Sequence, residues 1–434
     1  MFGVLLLAIL AGFPVAFTLG GVAILFALIG TGLEVFFWDD MAFVPSRIFG
    51  IVQNLTLIAV PLFIMMGVTL DQSGLARELL ESMQRLLKRV RGGLALSVIL
   101  VGALLAASTG IVGATVVTMG AIALPTMLKW GYQKEIACGT IAASGTLGQI
   151  IPPSIVLVLL GDLMNVDVAE LFMGALLPGL MLVLLYMIWV VGRIAISPQL
   201  APSPEAMSHE EDQHIFTDLL KALLPPLALM VIVLGSILFG FASPTEASGC
   251  GAMGALVISF LKGRLTKKGI SNILNKTVHM TTMVFTILVG AQFFGVVFRG
   301  LQGDEIIRGL ILDSGIPPGA VLLSVMLLMF IMGFFLDFIE ICFILIPVVA
   351  PLLIDVLGFH PTWIAILMAI NLQTSFLTPP FGFALFYLKG TAPPEISTAN
   401  IYRGALPFVL IQVFALSLIW IFPGIVHFIP GLLQ

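Results

Sequence analysis

The sequence predicts an all-α polytopic membrane protein, an inverted repeat carrying two re-entrant hairpins and two broken helices. Three observations carry that expectation. The 434 residues are 59% hydrophobic and only 10% charged, with a mean hydropathy of +1.16, whereas soluble domains average about 25% charged. Ser144-Gly145-Thr146-Leu147-Gly148-Gln149-Ile150-Ile151-Pro152-Pro153-Ser154 sets hydroxyls, glycines and an amide ahead of a Pro-Pro pair inside an apolar segment. Asn371-Leu372-Gln373-Thr374-Ser375-Phe376-Leu377-Thr378-Pro379-Pro380-Phe381 repeats the pattern near the other end. Proline removes a backbone donor and clashes with the preceding turn, so each pair breaks a membrane helix. Broken backbone at that depth is tolerated only inside protein or along a cavity. Paired interruptions in two halves point to a transporter's binding site.

Each crossing takes roughly 20 apolar residues. A first span over 2–31 is interrupted at Gly12-Phe13-Pro14 and is read as a retained helix, not a signal peptide. A second covers 50–70. From Leu75 to Arg91, Arg77, Arg85, Lys88, Arg89 and Arg91 recur among leucines, the pattern of a basic amphipathic helix on an anionic membrane surface. Residues 93–127 are apolar but broken at Ser108-Thr109-Gly110, with arms short for full spans, so a re-entrant hairpin is expected with that tip. The first broken helix occupies 135–165 and a span follows over 171–195. The polar stretch 197–218, with Pro198, Pro202, Pro204 and five acidic residues, is a linker.

The second half replays this order. Spans are expected over 222–241, 243–261 and 277–297, a hairpin over 318–354 broken at Asp337-Phe338-Ile339-Glu340, a broken helix over 362–388 and a last span over 405–430. Pro125, Pro152-Pro153 and Gly174-Ala175-Leu176-Leu177-Pro178 match Pro351, Pro379-Pro380 and Gly404-Ala405-Leu406-Pro407 in the same order. Tracing the chain from a cytoplasmic N-terminus leaves only Arg47, Arg299 and Arg308 outside, so sixteen of the nineteen Lys and Arg fall inside, as the positive-inside rule requires. The odd linking span inverts the second half and puts the C-terminus outside.

Hairpin tips and broken helices should meet at the centre. Half-helix N-termini suit a carboxylate. Half-helix C-termini, unwound carbonyls and hydroxyls offer the oxygen ligands a hard cation such as Na+ takes. Candidate donors are Ser108, Thr109, Ser144, Gly145 and Thr146 in half one and Asp337, Glu340, Asn371, Thr374, Ser375 and Thr378 in half two. Any one membrane hydroxyl more often bonds back to its own helix, so the weight rests on the constellation. Asp337 and Glu340, three apart on one face, could bind Na+, carry protons or cap the tip. As ionisable groups within the membrane they are read as coupling or gating groups ahead of a cap. Glu246, behind Ser243-Pro244-Thr245, is read as a helix cap, and His279 as a packed interhelical residue.

No Walker A loop, His/Cys cluster of metal spacing or serine-nucleophile motif occurs, so the chain is not expected to be an enzyme or to bind nucleic acid. Cys138, Cys250 and Cys342 all lie in apolar stretches, which gives no disulfide framework. A stand-alone carboxylate transporter and an anion channel stay open as alternatives.

Three segments, Gly145 to Ser154, Ser243-Pro244-Thr245-Glu246-Ala247 and Thr378-Pro379-Pro380-Phe381-Gly382, resemble the large membrane subunit of tripartite ATP-independent periplasmic (TRAP) transporters. The resemblance runs along nearly the whole chain. It implies a bacterial inner-membrane permease that imports a small organic acid with Na+ by an elevator motion. Its implied partners are a separate four-helix membrane subunit and a soluble periplasmic binding protein. It implies Na+ ligands among Ser108, Thr109, Gly110, Ser144, Gly145, Thr146, Asp337, Glu340, Asn371, Thr374 and Thr378, and substrate contacts at Ser108, Thr146, Gln149, Pro152, Pro153, Ser375, Pro379 and Pro380. The acidic, bulky second tip departs from the small-residue first tip, so the halves are chemically unequal. The expected division is scaffold and arm over 1–92, transport half-domain one over 93–170, scaffold with the linker over 171–317, transport half-domain two over 318–390, and a scaffold helix over 391–434.

Overall fold

The computed structural model describes residues 1–87, 89–110, 112–202, 215–313 and 315–433, without the side chains of Ser108, Thr109, Leu310, Leu433 and residues 215–219. Most of the expected linker, and Lys88, lie outside the described residues. The chain is helical throughout: α1 (Phe2–Leu10), α2 (Val15–Gly32), α3 (Phe43–Gln53), α4 (Leu55–Gln72), α5 (Leu75–Leu86), α6 (Gly93–Thr109), α7 (Val112–Lys129), α8 (Lys134–Thr146), α9 (Ile155–Met164) and α10 (Val168–Ile196). After the linker come α11 (Ile215–Leu238), α12 (Pro244–Leu261), α13 (Lys267–Gly300), α14 (Gly303–Asp313), α15 (Pro318–Met332), α16 (Phe338–Pro351), α17 (Pro361–Phe376), α18 (Phe383–Thr391), α19 (Thr398–Ile421) and α20 (Gly424–Leu433). Eight helices among the described residues are long and apolar enough to cross a membrane.

Both broken helices occur where proline forces them. α8 gives way to a tight turn over Leu147–Gln149 and Pro152-Pro153 before α9. α17 stops at Phe376, ahead of Pro379-Pro380 and α18. Both Pro-Pro bonds are cis. The hairpins are present too. α6 turns into α7 at Gly110, whose φ of +62° suits glycine, and Tyr132, beyond α7, returns to the backbone of Leu94 and Ala95 at the foot of α6. The arms of this hairpin run 17 and 18 residues, longer than the expected fifteen or so.

Three expectations change. The first segment is not one interrupted span. Phe2 stacks edge-on against Phe294 and Phe298 on α13, whereas Ile9, Phe13 and Val15 share a cavity wall with Lys276 and His279, several turns nearer the start of α13. So α1 and α2 run antiparallel, reversed by Gly12 at φ +91° and Pro14. Met1 therefore lies at the Arg299 end of α13, and a cytoplasmic N-terminus no longer follows from the charge count. Second, the basic amphipathic helix ends at Leu86, because Gly92 takes φ +84° and a Cβ at Gly93 would lie 2.0 Å from the Leu87 carbonyl oxygen. Third, the last span ends at Ile421. Pro423 follows, and α20 folds back onto α10.

The helices fall into two groups. An outer group packs α2 and α3 on α13, and α4 on α12 and α13, with α11 joining α12 and α5. Its ends are fastened by an ion pair from Lys262 to Glu78. The expected cap at Ser243 is present as a full capping box with Glu246, and Thr245 Oγ1 donates to the Leu55 carbonyl at 2.6 Å. The inner group holds both hairpins, both broken helices, α10 and α19, and its halves interlock crosswise. α7 of hairpin one packs on α18 of half two, and α16 of hairpin two packs on α9 of half one. α8 packs on α19, and α17 on α10.

Polar pairs mark the same exchange. Asn400 on α19 donates to Glu135 on α8 at 2.6 Å, and Thr362 on α17 donates to Glu170 on α10 at 2.5 Å. The α8–α19 crossing is close enough that a Cβ at Gly404 would sit 2.2 Å from the Glu135 carbonyl oxygen. Gly404→Ala should therefore lower the thermal unfolding temperature of the purified protein by several degrees, an overpacking cost of about 1–3 kcal/mol. Gly192→Ala, with nothing within 4 Å of the added methyl, should leave it unchanged. Equal shifts would show that the crossing is not tightly packed.

Candidate functional site

The inner group places the sequence-selected residues around its two breaks. In half one Ser144 Oγ donates to the Ile141 carbonyl at 3.0 Å and Thr146 Oγ1 to that of Ala143 at 2.9 Å. In half two Thr374 donates to Ile370 at 2.7 Å, Ser375 to Leu372 at 2.7 Å and Thr378 to Thr374 at 2.8 Å. These are the helix back-bonds that make a lone membrane hydroxyl unremarkable. Each spends only the hydroxyl proton, so the oxygen's lone pairs stay available to a cation or a donor. Asn371 is committed otherwise: its Nδ2 donates to the Met326 carbonyl on hairpin two at 2.7 Å, which leaves its carbonyl oxygen as the candidate ligand.

Glycine lets the hairpins approach the breaks. A Cβ on Gly148 would lie 2.3 Å from the Ala106 carbonyl oxygen, and one on Gly145 would lie 2.3 Å from Val116. Gly110 faces Ile155, the first residue of α9. On the other half a Cβ on Gly333 would meet the Ser375 hydroxyl at 2.0 Å. Each tip is thus pressed against its own broken helix. The Ser108 and Thr109 side chains lie outside the described residues. Gln149 is fully buried, and its backbone carbonyl accepts from Ser154 Oγ at 2.7 Å, which braces the turn before α9.

Asp337 and Glu340 form the cap that the sequence reading had ranked second. Asp337 is the N-cap of α16, its carboxylate accepting from Phe338 N at 2.8 Å, and Glu340 accepts from Asp337 N at 3.1 Å. A residue just ahead of a helix has free amides beside it, and a carboxylate satisfies them. The same pair also lines a cavity of about 730 Å³ between the hairpin tips and the outer group. Its other walls include Gly113 and Val117 of hairpin one, Tyr387 of α18, Asp71 of α4, and Lys276 and His279 of α13. His279 therefore faces the cavity and is not a buried packing residue. Among the expected ligands Asp337 and Glu340 are the two on this wall. Pro152 instead lines a separate apolar cleft of about 540 Å³ with Ile151, Ala107 and residues of α10 and α11. The Pro380 carbonyl accepts from the Tyr402 hydroxyl.

Two contacts tie the inner group to the ends of α4. Asn54, the N-cap of α4, donates to Asp162 at the end of α9 at 2.5 Å. At the other end Asp71 accepts from Thr118 of hairpin one at 2.7 Å. Sequence reading passed over these residues, and over Lys276, Gln373, Tyr186 and Gln412. The last two stand as lone polar groups in apolar spans, which is itself a signal.

Two inverted halves with discontinuous helices meeting at their breaks are the architecture of a secondary-transporter permease. The comparisons agree and narrow the class. The chain belongs to the family described as tripartite ATP-independent periplasmic transporter, DctM component, which it matches over residues 2–425. It is 30% identical over 396 residues to the C4-dicarboxylate TRAP transporter large permease protein DctM of Pseudomonas aeruginosa, covering 91% of this chain and 90% of that one. It is 27% identical over 425 residues to the sialic acid TRAP transporter large permease protein SiaM of Vibrio cholerae, covering 97% and 96%. The crystal structure of the Alcanivorax borkumensis YdaH transporter superposes with a TM-score of 0.62 at 16% identity over 88% of each chain, a likeness of fold.

The cap geometry sets a test. Asp337→Ala should cost about 1 kcal/mol of stability, whereas Asp337→Asn, which keeps an acceptor at the N-cap, should stay near wild type in thermal unfolding of the purified protein. An Asn variant as unstable as the Ala variant would mean that the charge, not the cap, holds the tip.

Proposed function

We propose that this chain is the large permease subunit of a Na+-coupled, binding-protein-dependent importer of a small organic acid, working by an elevator motion in a bacterial inner membrane. The observation that carries this reading is the pair of broken helices whose ends are packed by hairpin tips beside a charged cavity. Lys276 on the outer wall supplies positive charge for a carboxylate, and His279 beside it offers a ring N–H donor. Oxygens at the breaks (Ser144, Gly145, Thr146, Thr374 and Thr378, with the Asn371 carbonyl) supply the ligand type Na+ takes, together with Gly110 and the adjoining Ser108 and Thr109. Substrate selectivity would rest in part on a periplasmic binding protein, because relatives named for chemically different acids share this architecture. A separate small membrane subunit would cover part of the outer group.

The moving unit would be the inner group. The expected division gave α10 and α19 to the scaffold, but their packing on α17 and α8 supports moving them with the hairpins. The outer group would stay fixed, and the Asn54–Asp162 and Asp71–Thr118 bonds would break and re-form as the unit slides.

Uptake of a radiolabelled C4-dicarboxylate into proteoliposomes, with the small subunit present, should require both the binding protein and an inward Na+ gradient. Uptake with neither would overturn the reading in favour of a uniporter or channel. The motion has its own test. In a chain whose exposed Cys250 is replaced by Ser, an Asn54→Cys, Asp162→Cys pair should cross-link and arrest uptake, and reductant should restore it. Undiminished uptake in the cross-linked protein would exclude sliding of the inner group past α4.

A further inference from the structure

Where α8, α17, α10 and α19 cross, uncharged polar side chains meet deep inside the inner group. Gln412 Nε2 donates to the Tyr186 hydroxyl at 2.6 Å and reaches Thr146 Oγ1 at 3.5 Å. Gln373 adjoins the same hydroxyl. Gln149 lies one turn beyond Thr146, in the segment that packs on α6 of hairpin one and on α17 and α10. All five side chains are fully buried. Yet both ends of the Gln149 amide and the Gln412 carbonyl find no hydrogen-bond partner among the described residues, and the Gln373 amide has only its contact with the Tyr186 hydroxyl. Buried amides are nearly always paired, and an unpaired one is costly. So many at one crossing, in a region otherwise packed on glycine, mark a site built for a guest.

The guest's charge follows from the helices. Thr146 is the last residue of α8 and Gln373 lies in the last turn of α17. Both half-helices end at their proline breaks, so both present the negative end of the helix dipole. Counted back from the Pro-Pro pairs, Thr146 and Gln373 hold equivalent positions in the two halves. Two negative dipole ends, hydroxyl oxygens and amide oxygens together favour a cation. Without a carboxylate in the cluster, a divalent ion's desolvation would not be offset.

We propose that Thr146, Gln149, Tyr186, Gln373 and Gln412 form a buried binding site for a monovalent cation of Na+ size, with water completing its shell. Amide oxygens face the ion, and amide nitrogens donate to its waters. Two of these residues come from α10 and α19 and none from the hairpins, so the site lies behind the break that tip one covers, on its α10 and α19 side. It rests on the Na+-coupled reading above and adds an ion to it. Occupancy would also cross-link the two halves of the moving unit, holding it rigid while it slides.

The test is radiolabelled Na+ binding to the purified chain by scintillation proximity, paired with thermal unfolding in NaCl against choline chloride. A Tyr186→Phe, Gln412→Leu double variant should bind about one Na+ fewer than wild type and lose part of the Na+-specific stabilisation. Gln412→Glu, which adds a carboxylate without loss of volume, should keep full stoichiometry and bind Na+ roughly tenfold more tightly. Because these variants move binding in opposite directions, general destabilisation cannot imitate the result. A double variant that is equally less stable in both salts, with unchanged Na+ stoichiometry, shows a site for water only and overturns the proposal while Na+ coupling stands. So does a Gln412→Glu variant with wild-type affinity. Wild-type protein that binds no Na+ overturns both readings.

Discussion

Backbone polar groups cannot be left to hydrocarbon, and this chain breaks two helices where hydrocarbon would otherwise surround them. Each Pro-Pro pair frees carbonyls at the end of a half-helix and amides at the start of the next. Only protein can shield those groups. The hairpins are the shield. Their tips must come within contact distance of the breaks, and side chains larger than glycine at 102, 145, 148 and 333 would prevent it. Nearby hydroxyls take up some of the freed carbonyls, as Thr146 does for Ala143 and Thr378 for Thr374.

Interlocking of the halves follows from the same need. A hairpin and a broken helix from one half could shield each other only on one side. Crossing α7 over to α18, and α16 over to α9, covers the second half-helix of each break with the opposite hairpin. The Glu135–Asn400 and Glu170–Thr362 bonds fix the register of the crossing at its two ends. Neither half can keep this packing alone, and α10 and α19, which look like ordinary spans, pack into the same group through α17 and α8.

Much of this was legible because prolines, glycines and charges act locally. The breaks, the Gly110 tip and the Ser243–Glu246 capping box all announce themselves over a few residues. What was illegible depended on direction or on distant partners. Gly12-Phe13-Pro14 reads alike whether it kinks a helix or reverses it, and only the contact of Phe2 with Phe294 and Phe298 decides. His279 reads as packing until α13 is seen beside the hairpin tips. Tyr186 and Gln412 stand out singly as polar groups in apolar spans, but their pairing appears only once α10 and α19 bring them to one point. Asp337 and Glu340 were legible as a pair, but the three-residue spacing that puts both on one helical face also makes a capping box, so the spacing gave no ground for putting coupling ahead of the cap.

The unequal hairpin tips then acquire a physical sense. Tip one is small: Gly110 turns the chain, and its neighbour Gly113 leaves only glycine under the Tyr387 ring. Tip two is held by a carboxylate cap, and its two acids face the cavity that Lys276 and His279 line from the outer group. Tip two thus brings two carboxylates to an outer wall that carries Lys276 and Asp71, whereas tip one brings none. The capping box uses both acids, Asp337 at the N-cap and Glu340 three residues on, so one pair of residues closes the start of α16 and also faces the wall opposite.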